Sequence, residues 1–263
     1  MYYTLKKEDK VLLQAHRGIE LEYPDNTIPS YRAAADAGYA IIEADYRMTK
    51  DGVPVMIHNR TINSTGRRAD GSRIEEKKAV ADMTYKELLE YDFGVWKGER
   101  FRGTKIPTLE ETLELARSRN IAVKIDNKHW SCSSEERETA YGVMSRSGAN
   151  LTVSCFTLED AREVKAFLPG ASVSFDGTGD AELLSQAAEI AGHGRVQTWI
   201  PIEKARADWA PDEWFISAEQ CREARKYARV CLWAIGPERI ERALSEYEPW
   251  AVETSGQIRP YRE

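Results

Sequence analysis

Two carboxylates stand one residue apart at the end of an apolar run. They are Glu43 and Asp45, within the segment YAIIEADYRM that begins at Tyr39. In a β-strand, residues i and i+2 lie on the same face, so both side chains are expected to point toward one cation or one substrate. An Asp-Gly turn and a second apolar run then lead to His58. Two carboxylates and a histidine within one such segment are typical of half of the residues of an active site.

Further polar side chains follow two other apolar runs. His16 and Arg17 end the first run of the chain, and Asp126 and Lys128 end a later one. Three carboxylates crowded together would repel one another, so a divalent cation between them is the simplest resolution. Oxygen ligands favour Mg²⁺ or Ca²⁺ over zinc. The predicted metal ligands are Glu43, Asp45 and Asp126.

The elements that must position these side chains repeat in a β/α order. Eight such repeats in a chain of 263 residues predict an α/β fold, a (β/α)₈ TIM barrel, with its site at the C-terminal ends of the strands. The main alternative is a doubly wound open sheet, but the sequence has no glycine-rich dinucleotide fingerprint and no P-loop. The strand-like runs begin at Val11, Ala40, Ile121, Leu151, Ala171, Arg195, Val230 and Trp250.

One segment breaks this repeat. Residues 59–105 are polar and glycine-rich, with a single helical pattern near residues 84–90, and we expect a small inserted subdomain on the rim after the second strand. We treat residues 1–263 as a single barrel domain that carries this insertion. The other predicted helices cover residues 28–37, 108–119, 134–147, 158–167, 180–191, 218–227 and 238–246.

The composition narrows the class of protein. An apolar fraction of 42% with 30% charged residues is ordinary for a soluble globular chain. The net charge of −6 argues against a nucleic-acid or anionic-membrane partner. We see no apolar segment long enough for a signal peptide or a membrane span, and we predict a cytoplasmic protein. The oligomeric state stays open. Buried free thiols are predicted for Cys132, Cys155, Cys221 and Cys231, which show no CxxC spacing.

Each candidate also has a structural interpretation. The two neighbouring carboxylates could pair with nearby Arg47 or Lys50, and Lys128 alone could be a solvated charge. Two aromatic residues at strand ends, Phe156 and Trp233, could pack at the barrel mouth. His129 and His193 lie outside the polar cluster and are expected to have no role in function. The functional hypothesis depends on the coincidence of acids, bases and cations on one rim.

The motifs, taken in chain order, resemble those of the glycerophosphodiester phosphodiesterase family. They run from about residue 11 to residue 254, and together they are specific, although HRG alone would be weak. The family's (β/α)₈ barrel with a small insertion after the second strand agrees with the repeat described above. The matching motifs are AHRG at 15–18, YPDNT at 23–27, EAD at 43–45, TKDG at 49–52, His58, IPTLEE at 106–111, DNK at 126–128 and LW at 232–233.

The resemblance implies hydrolysis of a glycerophosphodiester to glycerol 3-phosphate and an alcohol, with one divalent cation, Mg²⁺ or Ca²⁺. His16 and His58 would be the general acid and base, in an order that the sequence leaves open. Arg17 and Lys128 would hold the phosphate oxygens. Trp233 is a further substrate-binding candidate, and with Trp199 and Phe156 it could form an aromatic wall for a choline-like cation. Alternatives are a lysophospholipase-D-like enzyme, which would expose an apolar patch from Phe93, Val95, Trp96 and Phe101, and a non-catalytic binding barrel.

Three positions depart from the family's usual pattern. Asp25 and Asp126 stand where the family commonly has glutamate, and Asn59 stands where it has aspartate after the histidine. An aspartate keeps the charge but reaches one methylene less far. We expect these changes to affect metal and substrate preference more than catalysis itself.

Overall fold

Eight parallel strands close into a barrel in the computed structural model, which describes residues 2–201, 216–233 and 235–261. Each strand pairs in parallel with the next, and the last pairs with the first. The predicted TIM barrel is confirmed, and the open sheet is wrong. The strands are β1 Leu12–Ala15, β2 Ile41–Ala44, β3 Ala122–Ile125, β4 Leu151–Cys155, β5 Ser172–Asp176, β6 Val196–Pro201, β7 Arg229–Trp233 and β8 Ala251–Thr254.

Helices on the outside of the barrel begin at hydroxyl or carboxylate caps, except the last helix, whose N-cap is Arg239 without a side-chain hydrogen bond. Thr108 and Thr157 each accept from a backbone N–H three residues later and complete a capping box. Gly38 ends the first helix with φ 88°, a left-handed conformation that suits glycine. The helices are α1 Ile28–Ala37, α2 Leu109–Ser118, α3 Ser134–Ser147, α4 Leu158–Phe167, α5 Ala181–Ala191, α6 Ala218–Ala224 and α7 Ile240–Arg242, which a π-helical turn, Ala243–Tyr247, continues.

A few predicted boundaries were wrong. The fourth strand was expected to include Phe156 but ends one residue earlier, and 60% of the Phe156 side chain is exposed. The seventh strand ends at Trp233, and Ala234 lies outside the described residues. The four cysteines are buried and free, as predicted. Within the described ranges, no helix combines the length and the apolar composition that crossing a bilayer requires.

An antiparallel hairpin follows β2 and leads into the insertion. Tyr46–Met48 pairs with Pro54–Met56 around the Asp-Gly turn, where Gly52 has φ 76°. The predicted single strand through both carboxylates is therefore wrong, because β2 ends at Ala44 and the hairpin starts after Asp45. The insertion contains the short helices Val80–Asp82, Tyr85–Leu88 and Glu99–Phe101. Its small apolar core is separate from the barrel core and joins Val55, Ile57, Ile62, Ile74, Val80, Met83, Leu88, Phe93 and Ile106.

Candidate active site

A cavity of about 350 Å³ opens at the C-terminal ends of the barrel strands. Since parallel strands deliver their last residues to one edge, side chains far apart in sequence meet there. Seven of the eight predicted site residues line the cavity: His16, Arg17, Glu43, His58, Asp126, Lys128 and Trp233. The eighth, Asp45, is fully buried, and one of its oxygens lies within 4.8 Å of oxygens from Glu43 and Asp126.

The backbone after β1 turns sharply to bring Arg17 into the site. Arg17 has φ 51°, and its N–H donates to Oε2 of Glu43 at 3.0 Å. Gly18, with φ 82°, lies against Ser30 so closely that a Cβ at this position would stand 2.2 Å from the Ser30 hydroxyl oxygen. The AHRG motif therefore has a structural reason for its glycine. The turn permits the Arg17 main chain to contact a carboxylate on the neighbouring strand.

Asp45 is held by Asn26 from the loop before α1. The Asn26 side-chain amide donates to Oδ2 of Asp45 at 3.0 Å, and its carbonyl oxygen accepts from the Asp45 backbone N–H at 3.1 Å. The hydroxyl of Tyr31 donates to the same carbonyl oxygen at 2.7 Å. This arrangement leaves Oδ1 of Asp45 buried and without a hydrogen bond.

The three carboxylates fit a hard divalent cation. Glu43, Asp45 and Asp126 are all buried and offer oxygen ligands, and their separation within 4.8 Å matches the oxygen spacing around Mg²⁺ or Ca²⁺. Burial and the neighbouring carboxylate of Asp45 raise the pKa of Glu43 well above its usual range. A bound cation would relieve this repulsion, and the free Oδ1 of Asp45 is a ready ligand.

Two cationic side chains stand beside the same carboxylates. Nε of Arg17 lies 3.2 Å from Oδ2 of Asp45, and Nζ of Lys128 lies 3.2 Å from Asp126 and 3.5 Å from Asp45. Lys128 is carried by a 3₁₀ helix, Asn127–Ser131, whose N-cap is Asp126. The site therefore combines an oxygen donor set with two groups that suit phosphate oxygens.

His16 is paired with a carboxylate that sequence analysis missed. Its Nδ1 lies 2.6 Å from Oε1 of Glu20, which also accepts from the hydroxyl of Ser255 at 2.6 Å. Burial alone would lower the pKa of His16, but Glu253, Glu20 and Glu43 outweigh burial and raise it to about 10. Glu20 lies four residues after His16, and this spacing in a loop gave no signal that the two side chains would meet.

His58 has an uncharged partner instead. Its Nδ1 lies 2.9 Å from the side-chain oxygen of Asn59, and Arg47 donates to its backbone carbonyl at 2.8 Å. Burial is the main cause that lowers the pKa of His58, and Arg17 and Lys128 act in the same direction. The two predicted catalytic histidines thus favour opposite charge states near neutral pH. His129 is fully buried, with both ring nitrogens bonded to tyrosine hydroxyls, which agrees with a structural role.

An ion pair between a buried lysine and a partly exposed aspartate in the barrel interior was not predicted from the sequence. Nζ of Lys124 donates to Oδ2 of Asp176 at 2.9 Å. Burial would lower the pKa of Lys124, but Asp176 and further carboxylates outweigh it and raise the pKa above its ordinary value. Glu253 accepts from the side chain of Gln14 at 2.6 Å. A lysine in the middle of the apolar strand AVKI was the available signal, since such a position requires a partner.

The aromatic residues differ in how far they reach the cavity. Trp199 is 1% exposed, and Nζ of Lys124 lies 5.6 Å from its ring centroid. Phe156 is exposed at the cavity mouth and Trp233 is half-buried. Phe93 and Phe101, which the lysolipid alternative needed on the surface, are buried.

Comparison with known proteins adds to this geometry. The sequence model of the glycerophosphoryl diester phosphodiesterase family matches residues 16–207. The chain belongs to this family. Among curated family members, a glycerophosphodiester phosphodiesterase of Caldanaerobacter subterraneus subsp. tengcongensis is 38% identical over 119 residues, which is 45% of this chain and 46% of that protein. Glycerophosphodiester phosphodiesterase 1 of Bos taurus is 32% identical over 127 residues, covering 48% and 36%. The aligned region spans less than half of either relative.

Solved structures of family members share the fold. An Oleispira antarctica phosphodiesterase, solved with the product sn-glycerol-3-phosphate, matches with a TM-score of 0.72 at 19% identity, over 94% of this chain and 93% of that one. A glycerophosphodiester phosphodiesterase of Thermotoga maritima matches with a TM-score of 0.65 at 20% identity, over 94% and 95%. The barrel of this chain is thus the barrel found in the family.

Proposed function

We propose that this member of the glycerophosphodiester phosphodiesterase family hydrolyses glycerophosphodiesters to glycerol 3-phosphate and an alcohol. One observation carries the proposal. Two histidines with opposite charge preferences line one cavity with the cationic side chains of Arg17 and Lys128, beside a buried group of three carboxylates. Displacement at phosphorus needs charge neutralisation at the oxygens, a proton acceptor and a proton donor, and this set supplies all three.

In this proposal the metal ligands are Glu43, Asp45 and Asp126, and the ion is Mg²⁺ or Ca²⁺. When bound, the ion would neutralise charge on the phosphate oxygens. Arg17 and Lys128 bind the same phosphate oxygens. Arg17 does so through its planar guanidinium group, and Lys128 does so as a point charge. Trp233, the last residue of β7, lines the same cavity and is the further residue proposed to contact the substrate.

We assign the proton donor to His16 and the acceptor to His58. Glu20 holds Nδ1 of His16 at 2.6 Å and favours the imidazolium, so Nε2 is the nitrogen that gives a proton to the leaving alkoxide. His58 has only an uncharged amide oxygen at Nδ1, and burial together with Arg17 and Lys128 lowers its pKa and favours the neutral ring as a base. We also propose that barrel and insertion act as a single domain on a small-molecule substrate. The cytoplasmic location and the lack of a nucleic-acid partner stay predictions.

Purified protein with Mg²⁺ or Ca²⁺ should release glycerol 3-phosphate from glycerophosphocholine, and EDTA should stop the reaction. His16→Ala and His58→Ala should each lower kcat by at least ~10²-fold, the usual scale for losing a general acid or base. His193→Ala is the matched control, because His193 is exposed and outside the cavity. Near-normal activity of both variants would remove the histidines from the reaction, and hydrolysis of lysolipid alone would favour the lysophospholipase-D-like alternative.

A further inference from the structure

A buried carboxylate in the insertion fixes a compact turn, residues 94–103, which we call the insertion turn. Asp92 is 4% exposed, and its Oδ1 accepts from the backbone N–H groups of Gly94 and Val95 at 2.8 and 2.9 Å. Its Oδ2 accepts from Gly103 at 2.6 Å. A Cβ at Gly94 would stand 2.1 Å from the carbonyl oxygen of Phe101. The backbone of the insertion turn is therefore held in one conformation, and its side chains extend from fixed positions.

The insertion turn contacts the loop that follows β1, residues 17–26, which we call the His16 loop. Nζ of Lys97 donates to the backbone carbonyl of Glu20 at 2.5 Å. Arg100 donates to the carbonyl of Glu22 at 2.9 Å, and the rings of Tyr23 and Phe101 lie 5.3 Å apart. Two main-chain oxygens of the His16 loop thus have side-chain donors from a segment about 75 residues away in sequence.

Glu20, whose carbonyl accepts from Lys97, is also the residue that orients His16. The Glu20 carboxylate binds Nδ1 of His16 and the hydroxyl of Ser255, which follows β8. The backbone N–H of Leu21 donates to the carbonyl of Ser255 at 2.9 Å. Glu20 is therefore fixed from the barrel on one side and from the insertion on the other. Ser255 holds the Glu20 carboxylate and the N–H of the peptide that follows Glu20, and Lys97 holds the carbonyl of that same peptide.

We propose that Lys97 is a positioning residue that lets the insertion hold Glu20, and through Glu20 the ring of His16, in its working orientation. This inference rests on the proposed function, in which His16 gives the proton. Lys97 touches neither the substrate nor the reacting atoms. Its ammonium satisfies a loop carbonyl that no regular secondary structure covers, and losing it leaves the Glu20–Leu21 peptide held only on its N–H side, by the carbonyl of Ser255. A displacement of about 1 Å at a catalytic group can cost up to ~10²-fold in rate.

The experiment compares Lys97→Met with Lys105→Met. Lys105 is a matched control, because it also lies in this part of the chain and donates from Nζ to a backbone carbonyl, that of Tyr91 at 3.0 Å, away from the His16 loop. We expect Lys97→Met to lower kcat about tenfold with KM nearly unchanged. Lys105→Met should stay within about twofold of the unmodified enzyme, and Lys97→Arg, which keeps a cationic donor, should recover most of the loss.

A second readout does not depend on turnover. The ¹⁵N and ¹H NMR signals of the His16 ring, assigned with His16→Gln, should change in Lys97→Met and not in Lys105→Met. Equal kcat and equal His16 signals in the two methionine variants would overturn the inference, as would a loss in Lys97→Met that Lys97→Arg does not recover. If the unmodified protein hydrolysed no phosphodiester, the proposed function would fall, and the His16 signals would still decide whether Lys97 positions the ring.

Discussion

Replacing Glu20 by glutamine tests whether a carboxylate keeps His16 protonated. The change retains an oxygen that can accept from Nδ1 but removes the charge that lies 2.6 Å from the ring. Burial opposes the imidazolium, and Glu253, Glu20 and Glu43 together raise the pKa of His16 from 6.5 to about 10. The variant should therefore lose stability, and the pKa of His16 should fall toward its ordinary value.

The size of the loss follows from the shift. At 1.36 kcal/mol per pKa unit, a rise from 6.5 to about 10 corresponds to about 5 kcal/mol as the net of burial, which opposes the charge of His16, and of all the partners that favour it. Glu20 is one of three carboxylates in that sum, and both side chains are about a quarter exposed, at 27% and 23%, so solvent screens the interaction. We expect Glu20→Gln to lower the free energy of unfolding by about 1–2 kcal/mol at its maximum.

The loss should depend on pH in a defined way. His16 has a raised pKa, so its contribution is complete below pH 6.5 and disappears as pH rises through about 10. Although burial opposes the charge of Glu20, His16 and other partners lower its pKa from 4.5 to about 2, so its contribution is complete above pH 4.5 and disappears as pH falls through about 2. The difference between the two proteins is therefore largest from pH 4.5 to pH 6.5.

Urea unfolding of the unmodified protein and the variant measures this difference. Both are studied in EDTA, since a bound metal would add its own stabilisation. A gap of about 1–2 kcal/mol near pH 6 that closes as pH approaches 10 is the expected result. An equal gap at both pH values, or an NMR titration of His16 near 6.5 in the unmodified protein, would refute the reasoning.

Three further changes test other parts of the site. Asp45→Asn should weaken Mg²⁺ or Ca²⁺ binding at least ~10-fold by calorimetry, and unchanged affinity would exclude Asp45 as a ligand. Lys124→Met should destabilise the protein by about 1–3 kcal/mol in urea because it leaves the partly exposed Asp176 carboxylate without its cation, and adding Asp176→Leu should recover much of that; no recovery would argue against the pair. Asn59→Asp should raise the pKa of His58 and move the acid limb of kcat/KM about one unit to higher pH, whereas an unmoved limb would argue against His58 as base.

The barrel could be predicted because its signals are local. Each strand is a short apolar run, and each helix has a cap and a period that the sequence states within a few residues. Helices α1, α3 and α4 have the predicted bounds. The C-terminal ends of parallel strands meet by geometry alone, so the predicted residues were expected to share one mouth, and the cavity includes seven of them.

The missed residues depend on contacts that no local pattern encodes. Glu20 and Asn26 lie in a loop whose path is set by the left-handed turn at Arg17 and by donors from Lys97 and Ser255. Sequence periodicity says nothing about an irregular loop, so Glu20 had no signal, and the YPDNT motif that contains Asn26 did not indicate that its side chain would bind Asp45. The break in β2 at Asp45 had the same cause, because it arises where Asn26 binds the Asp45 backbone.

The aspartate at position 126 illustrates how one such contact changes an interpretation. Oδ2 of Asp126 accepts from the backbone N–H of Asn127 at 2.6 Å and so caps the 3₁₀ helix that carries Lys128. A short side chain suits this cap, whereas a glutamate would reach one methylene farther into the cavity. The aspartate at this position therefore does more than set the reach of a carboxylate toward a metal. It links one proposed metal ligand to the orientation of the lysine that is proposed to bind the phosphate, so the two cannot be varied independently.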